Sequence, residues 1–136
     1  MERELIAAAV DEIDDIFYIL TPEREFREWN ERLPSITGYT DDEIDSMVLT
    51  AMFSGDDETA IDDAVERAVE ERDRVGVQAN LETKTGREIP YEFSAAPLEE
   101  DGELRAVMGI GRDITERLQN ERRLREMAEE IRNLSM

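Results

Sequence analysis

The feature that most constrains this chain is an alternating strand that runs directly into a charged helix. The strand begins at Glu103, places successive side chains on opposite faces, and ends in the segment GIGRDIT at 109–115. Side-chain oxygens of Asp113 and Thr115 can accept hydrogen bonds from the free N–H groups of a first helical turn. We therefore predict that a folded domain ends at Thr115, that residues 116–136 form an output helix, and that Asp113 and Thr115 relay a signal between them.

Length and composition predict one domain and exclude several chemistries. A chain of 136 residues suits one domain with short appendages. It contains no cysteine and no histidine, which excludes disulfides, thiolate or imidazole metal sites and catalysis by either side chain. The acidic pairs at 62–63 and 99–100 are expected on a helix surface and in a turn, where solvation is the ordinary outcome. We predict that this chain is not an enzyme.

The net charge of −20 argues against a nucleic-acid partner, because phosphate binding needs clustered lysines and arginines. Basic residues are nearly all arginine, and Lys84 is the only lysine. This balance is typical of proteins from salt-accumulating halophiles; the alternative is a merely acidic mesophilic protein. Residues 1–13 predict an amphipathic helix, with no apolar run long enough to span a bilayer, so we predict a cytoplasmic protein.

Periodicity and turn chemistry predict an alternation of strands and short helices. Thr40 and Glu43 have the spacing of a capping box, and Asn30 is predicted to cap the helix before it. Glu28 conflicts with its predicted strand, because a period of two places it on the same face as Phe26. The predicted order is a flanking helix over 1–13, a domain over 14–115 and the output helix over 116–136. Within the domain, the predicted strands cover 16–20, 25–29, 75–83, 88–98 and the segment from 103. Short helices are predicted within 31–52, and a longer helix over 58–73.

This order and a set of short motifs resemble the PAS sensor family. The motifs are Asn30, TGYT at 37–40, DEI at 42–44, TG at 85–86 and GRDITER at 111–117. The resemblance implies an α+β fold, in which a five-stranded antiparallel sheet and short helices on one face enclose a small-molecule pocket. It also implies a sensory input module. Together with the composition, it suggests a haloarchaeal-type histidine kinase or transducer-like protein, so the full-length protein could be a histidine kinase.

Departures from the family pattern exclude two cofactors. Flavin-binding light sensors of the family carry a photoreactive cysteine within a run that corresponds to 46–53, where this chain has Leu49. Gly111 stands where their last strand carries a flavin-contacting glutamine. The chain also lacks the histidine that usually binds haem in the family. We expect neither a cysteinyl-flavin nor a histidine-ligated haem, and the resemblance leaves the cofactor unknown.

Small residues on the inward face of the sheet leave two interpretations open. Ala79, Ala95, Gly109 and Gly111 must either admit bulky neighbours or leave a cavity, because interiors are closely packed. A cavity would suit a small apolar or aromatic molecule, with the hydroxyls of two tyrosines as polar groups. The predicted ligand-binding residues are Tyr18, Leu20, Phe26, Leu33, Ile36, Met47, Leu49, Met52, Phe53, Leu81, Tyr91, Phe93, Gly109 and Gly111. In the alternative, the core is filled and the domain is a protein-interaction module that only dimerises.

The output helix carries an apolar seam in its second half. Leu124, Met127, Ile131 and Leu134 have the 3-4-3 spacing of a two-stranded coiled coil. The same frame places Arg117 and Asn120, which are polar, at the preceding seam positions. A plain surface helix would explain the charges but not this spacing. We expect a homodimer through the flanking helices and a downstream signalling domain in the same chain.

Overall fold

Among the residues that the computed structural model describes, 14–134, five strands form one antiparallel sheet. The predicted helix over 1–13 lies outside this range. The strands follow the order β2-β1-β5-β4-β3, which places the last strand in the centre. Their bounds are β1 Ile16–Leu20, β2 Phe26–Trp29, β3 Val75–Glu82, β4 Glu88–Glu100 and β5 Glu103–Asp113. The predicted α+β fold with a five-stranded antiparallel sheet is confirmed.

Helices occupy the connection between β2 and β3 and the end of the described chain. The predicted capping box is present, since Thr40 Oγ1 accepts from the Glu43 amide at 3.1 Å and Glu43 Oε1 accepts from the Thr40 amide at 3.0 Å. Residues 49–52 form a short 3-10 helix within the range for which short helices were predicted. The elements are α1 Arg32–Thr37, α2 Asp41–Asp45, the 3-10 helix Leu49–Met52, α3 Gly55–Glu71 and α4 Thr115–Leu134.

The core lies between one face of the sheet and these short helices. On β5, Val107, Gly109 and Gly111 are buried on the inner face, as their alternation predicts, whereas Ile110 is on the other face and 37% exposed. Side chains of α3 close the same core through Ile61 and its buried neighbours one and two turns later. The central strand that packs against the core is therefore also the strand that leads into α4.

A β-bulge resolves the position of Glu28. Along the pairing of β1 with β2, Ile19 is opposite Glu28 but Leu20 is opposite Phe26, so the ladder skips one residue of β2. The skipped residue returns Phe26 to the inner face, where its ring contacts Trp29 edge to face with centroids 6.2 Å apart. Strict alternation fails in this strand because of the bulge.

The prediction that Asn30 caps α1 is wrong. Glu31 occupies the cap position, and its side chain makes no capping hydrogen bond. The Asn30 side chain is buried; its Oδ1 accepts from the Phe17 amide at 3.2 Å and its Nδ2 donates to the Asp15 carbonyl at 2.9 Å. A buried amide needs partners for both ends, and Asn30 finds them in the backbone at the start of β1.

Candidate functional site

The predicted ligand-binding residues come together in the core. Most are buried in a single cluster, and the two glycines are buried on β5. Ile36 and Met47 are only partly buried and pack against the edge of that cluster. The buried members with side chains are Tyr18, Leu20, Phe26, Leu33, Leu49, Met52, Phe53, Leu81, Tyr91 and Phe93. These residues therefore share one interior, whether or not it admits a ligand.

The ring of Tyr18 covers Gly109. The two residues are direct partners across the pairing of β1 with β5. A Cβ placed on Gly109 would overlap the Tyr18 ring at its Cε2 and Cζ atoms, so only glycine allows this close approach. The space that the missing side chain leaves is occupied by an aromatic ring from the neighbouring strand.

The ring of Phe93 covers Gly111 in the same way, from the neighbouring strand β4. The two residues are partners across the pairing of β4 with β5, and a Cβ on Gly111 would lie 2.7 Å from Phe93 Cε1. Tyr91 stacks on Phe93 with centroids 5.5 Å apart, and Phe53 meets Phe93 edge to face at 5.4 Å. A ligand at either glycine would need one of these rings to turn away, because no unoccupied volume lies directly above the glycine.

Two buried hydroxyls supply the polar character of this interior. Burial raises the pKa of Tyr18 far above its ordinary value. Burial, with a smaller contribution from the nearby charge of Asp113, raises the pKa of Tyr91 to about 12. Both phenols are therefore neutral near pH 7 and can donate a hydrogen bond.

The junction between β5 and α4 is held by contacts on both sides of Ile114. Asp113 Oδ1 accepts from the Thr115 amide at 2.8 Å, which is the helix-start bond predicted for Asp113. Ile114 is buried, and its amide donates to the Pro90 carbonyl at 3.0 Å. One turn later, Arg117 Nη2 lies 3.2 Å from Glu92 Oε2 on β4. The first turn of α4 is thus attached to the sheet.

A family comparison identifies the fold independently. The family model described as the PAS fold matches residues 10–119, which is most of the chain. The chain belongs to the PAS family. A search of curated protein sequences finds no significant match.

Solved PAS structures share this architecture at low sequence identity. A PAS domain from Colwellia psychrerythraea is 21% identical with a TM-score of 0.74, over 85% of this chain and 99% of that one. A domain of a sensory box sensor histidine kinase/response regulator from Geobacter sulfurreducens is 24% identical with a TM-score of 0.69, covering 82% and 94% of the two chains. A sensory box histidine kinase/response regulator structure from Burkholderia thailandensis is 24% identical with a TM-score of 0.70, covering 94% and 98%.

PAS domains are generally non-catalytic sensory modules, and the described residues of this one offer no metal site. Within 14–134, no group of three or more acidic side chains is arranged to hold a metal ion. In that range no helix is both long enough and apolar enough to cross a membrane.

The sequence analysis missed a polar groove beside the junction. Arg32 on α1, Arg112 at the end of β5 and Arg123 on α4 line this groove, whose volume is about 690 Å³. These residues are far apart in sequence, and of the three only Arg112 belongs to a motif of the family resemblance.

Proposed function

We propose that this PAS domain is the sensory input domain of a signal-transduction protein, which binds a small apolar or aromatic molecule in its core and relays occupancy through α4. The proposal rests on one observation: the Tyr18–Gly109 contact lies on β5, and β5 runs without a loop into α4. A ligand that displaces the Tyr18 ring would act directly on the strand that positions the output helix. The downstream signalling domain would lie in the same chain.

The relay would depend on how α4 leaves the domain. At its start, Arg117 contacts Glu92 and Asn120 lines the polar groove, so two polar residues of the heptad frame face their own domain. Further on, the same frame presents Leu124, Met127 and Leu134, which are 66%, 50% and 86% exposed. The helix is therefore suited to hold the sensor with one half and a second copy of itself with the other.

Self-association would bury this apolar seam and give a homodimer. Residues 116–134 contain five acids and five arginines, so the helix adds no net charge to a chain of net charge −20. Two such helices can approach each other without the repulsion that the rest of the surface would impose. The same acidic surface argues against nucleic-acid binding, and we expect the protein to act in the cytoplasm.

A second candidate function is a ligand-free interaction module. The observation that favours it is the coverage of Gly109 by Tyr18 and of Gly111 by Phe93, which fills the inner face of β5. The other face of the sheet exposes Ile110 and Leu98, at 37% and 36%, where a second copy could pack. In this case the domain would dimerise without sensing a small molecule.

Native mass spectrometry of protein purified without added ligand separates the two candidates. A mass above 15.7 kDa in the wild type, absent from a folded Gly109→Leu variant, is expected for a ligand-binding core. A wild-type mass of 15.7 kDa under all purification conditions would favour the filled-core module. Gly76→Leu is a control, because Gly76 lies on β3 with no atom closer than 3.9 Å to an added Cβ.

Insertions in the full-length protein test the relay. Seven residues after Met127 preserve the heptad frame of the helix, whereas four residues create a stutter, which unwinds the coiled coil locally and displaces the apolar seam by about one seventh of a turn. We expect the seven-residue insertion to preserve signalling and the four-residue insertion to lock or invert it. Equal behaviour of the two insertions would exclude a coiled-coil relay.

A further inference from the structure

The groove beside the junction joins the sensor core to the output helix. It is open to solvent, has a volume of about 690 Å³, and lies between the segment before β1, helix α1, the end of β5 and the first turns of α4. It is distinct from the apolar core, since its lining consists of charged and amide side chains and one threonine. An occupant would contact both the sensor and the helix that leaves it.

The three arginines that line the groove differ in their hydrogen-bond and ion-pair partners. Arg112 Nη2 is 3.2 Å from Asp15 Oδ2, and this pair raises the pKa of Arg112. Within residues 14–134, neither Arg32 nor Arg123 has a side-chain hydrogen bond or an ion pair with another residue. The Nε atom of Arg32 is buried as well as unpartnered. A buried N–H donor without an acceptor is unfavourable, so a rearrangement of the Arg32 side chain that brings Nε to an oxygen ligand in the groove would be favoured.

Tyr91 is within electrostatic reach of three groups that line the groove. The charges of Asp113, Arg32 and Asp15 all affect the pKa of the Tyr91 hydroxyl, after the larger effect of burial. The same ring stacks on Phe93, which covers Gly111. A charge bound in the groove would therefore act on Tyr91, whose ring packs beside Gly111 of the central strand.

The other residues that line the groove restrict which charged ligands can bind. Asp14, Asp113 and Glu116 border the same groove and would repel a ligand with several negative charges, such as a nucleotide. They would attract an ammonium group. Gln119 and Asn120 add neutral amides on the helix side. The lining thus combines two unpaired guanidinium groups with carboxylates in one small space.

We propose that this groove binds a small zwitterion of the α-amino acid class, with its carboxylate at Arg32 and Arg123 and its ammonium group towards the acidic side. Guanidinium groups favour carboxylates through charge-assisted, often bidentate hydrogen bonds. Since Arg32 belongs to the sensor and Arg123 to α4, the bound molecule bridges the two and holds the helix against the domain. This site does not require a ligand in the apolar core.

Side-chain amide NMR signals of Asn120 and Gln119 report binding directly. The full chain, labelled with nitrogen-15, is titrated at constant ionic strength with each standard amino acid, and with acetate and methylammonium as half-molecule probes. At least one amino acid is expected to shift both signals in a saturable way while the signal of Gln78 on β3 stays unchanged. Acetate and methylammonium are expected to bind at least about tenfold more weakly, since each lacks one charged contact.

Two adjacent arginines provide a matched pair of variants. Arg123 lines the groove and Arg122 does not, although both are exposed on α4. Arg123→Gln is expected to weaken binding about tenfold or more, and Arg122→Gln less than about twofold. Arg32→Gln should match Arg123→Gln, and because α4 lies outside the core, the result for Arg123→Gln holds even if Arg32→Gln fails to fold.

Three results would overturn the proposal. The first is that no amino acid shifts the two amide signals. The second is that acetate or inorganic phosphate binds as tightly as the best amino acid, because the groove would then be a general anion site. Equal weakening by Arg122→Gln and Arg123→Gln would show that only the overall charge of the helix matters.

Discussion

The apolar core and the polar groove lie at neighbouring positions of one strand, but close packing defines the first and charged side chains line the second. At Gly109 the strand meets the Tyr18 ring so closely that a single methyl group would overlap it. Three residues later, Arg112 reaches across an open groove to Asp15, and Arg32 has a buried donor without a partner. A molecule that enters the core would meet closely packed rings, whereas one that enters the groove would meet charged side chains.

Because of this difference, we expect the core to respond mainly to added volume and the groove mainly to added salt. Added volume should perturb the core strongly, because tightly packed interiors cannot relax around it. Added salt should leave the core packing unchanged but weaken interactions between exposed charges. Both regions border the start of α4, so under the proposed relay the output helix would receive two inputs of different physical character.

The largest expected effect comes from emptying or overfilling the core at Tyr18 and Gly109. Tyr18→Ala removes a buried ring and should lower the free energy of unfolding by about 3–5 kcal/mol. Gly109→Ala should lower it by about 1–3 kcal/mol, because its methyl group overlaps the ring. Gly76→Ala, whose added Cβ meets nothing closer than 3.9 Å, should be neutral or slightly stabilising. Urea denaturation measures all three.

The double variant sharpens this test. With the ring absent, the methyl group of Gly109→Ala has room, so its destabilisation should largely disappear in the Tyr18→Ala background. The coupling between the two sites is then about 1–3 kcal/mol. Additive effects would mean that the Tyr18 ring does not occupy the space above Gly109.

The next effect concerns the acidic surface. A net charge of −20 repels itself at low ionic strength, and the Debye length falls from about 30 Å at 0.01 M salt to about 3 Å at 1 M. We expect Tm to rise with KCl, by about 4 °C for each kcal/mol of repulsion that is screened. The destabilisation by Gly109→Ala should be the same at both salt concentrations. Equal wild-type midpoints in dilute buffer and molar KCl would remove the argument for a halophilic protein.

A smaller effect is expected at alkaline pH. Burial, then the charge of Asp113, raises the pKa of Tyr91 from 10.0 to about 12, so the folded state holds this proton more tightly than the unfolded chain. The resulting stability is fully present below pH 10 and is lost as the pH rises towards 12. Tyr91→Phe should therefore reduce the loss of stability between these pH values, as measured by urea denaturation at each pH. Identical pH profiles for the wild type and Tyr91→Phe would contradict this.

The parts of the fold that sequence alone predicted are those set by local periodicity. The alternation of β5, the capping box at Thr40 and the helix start at Asp113 each depend on residues within one turn or one strand. The β-bulge in β2 could not be predicted, because it is defined by pairing with β1. The Asn30 contacts were missed for the same reason, since its partners are 13 and 15 residues away.

Sequence alone predicted which residues face the core, but not whether that core is filled. Alternation placed Gly109 and Gly111 inward, and the same reasoning left open whether bulky neighbours would fill the space. The rings of Tyr18 and Phe93 do fill it, which depends on strand register rather than on composition. The groove was not predictable, because Arg32 and Arg123 line the same space only in the folded arrangement of α1 and α4.

Native-state hydrogen exchange in the first turns of α4 tests most directly whether the core controls the output helix. The amides of residues 116–121 are compared in the wild type, Gly109→Ala and the control Gly76→Ala. If a change at the Tyr18 contact is transmitted along β5, Gly109→Ala should accelerate exchange in 116–121 by about fivefold or more, equivalent to about 1 kcal/mol. Gly76→Ala should leave these rates unchanged. Exchange in 116–121 that is the same in all three proteins would contradict the coupling of core to helix.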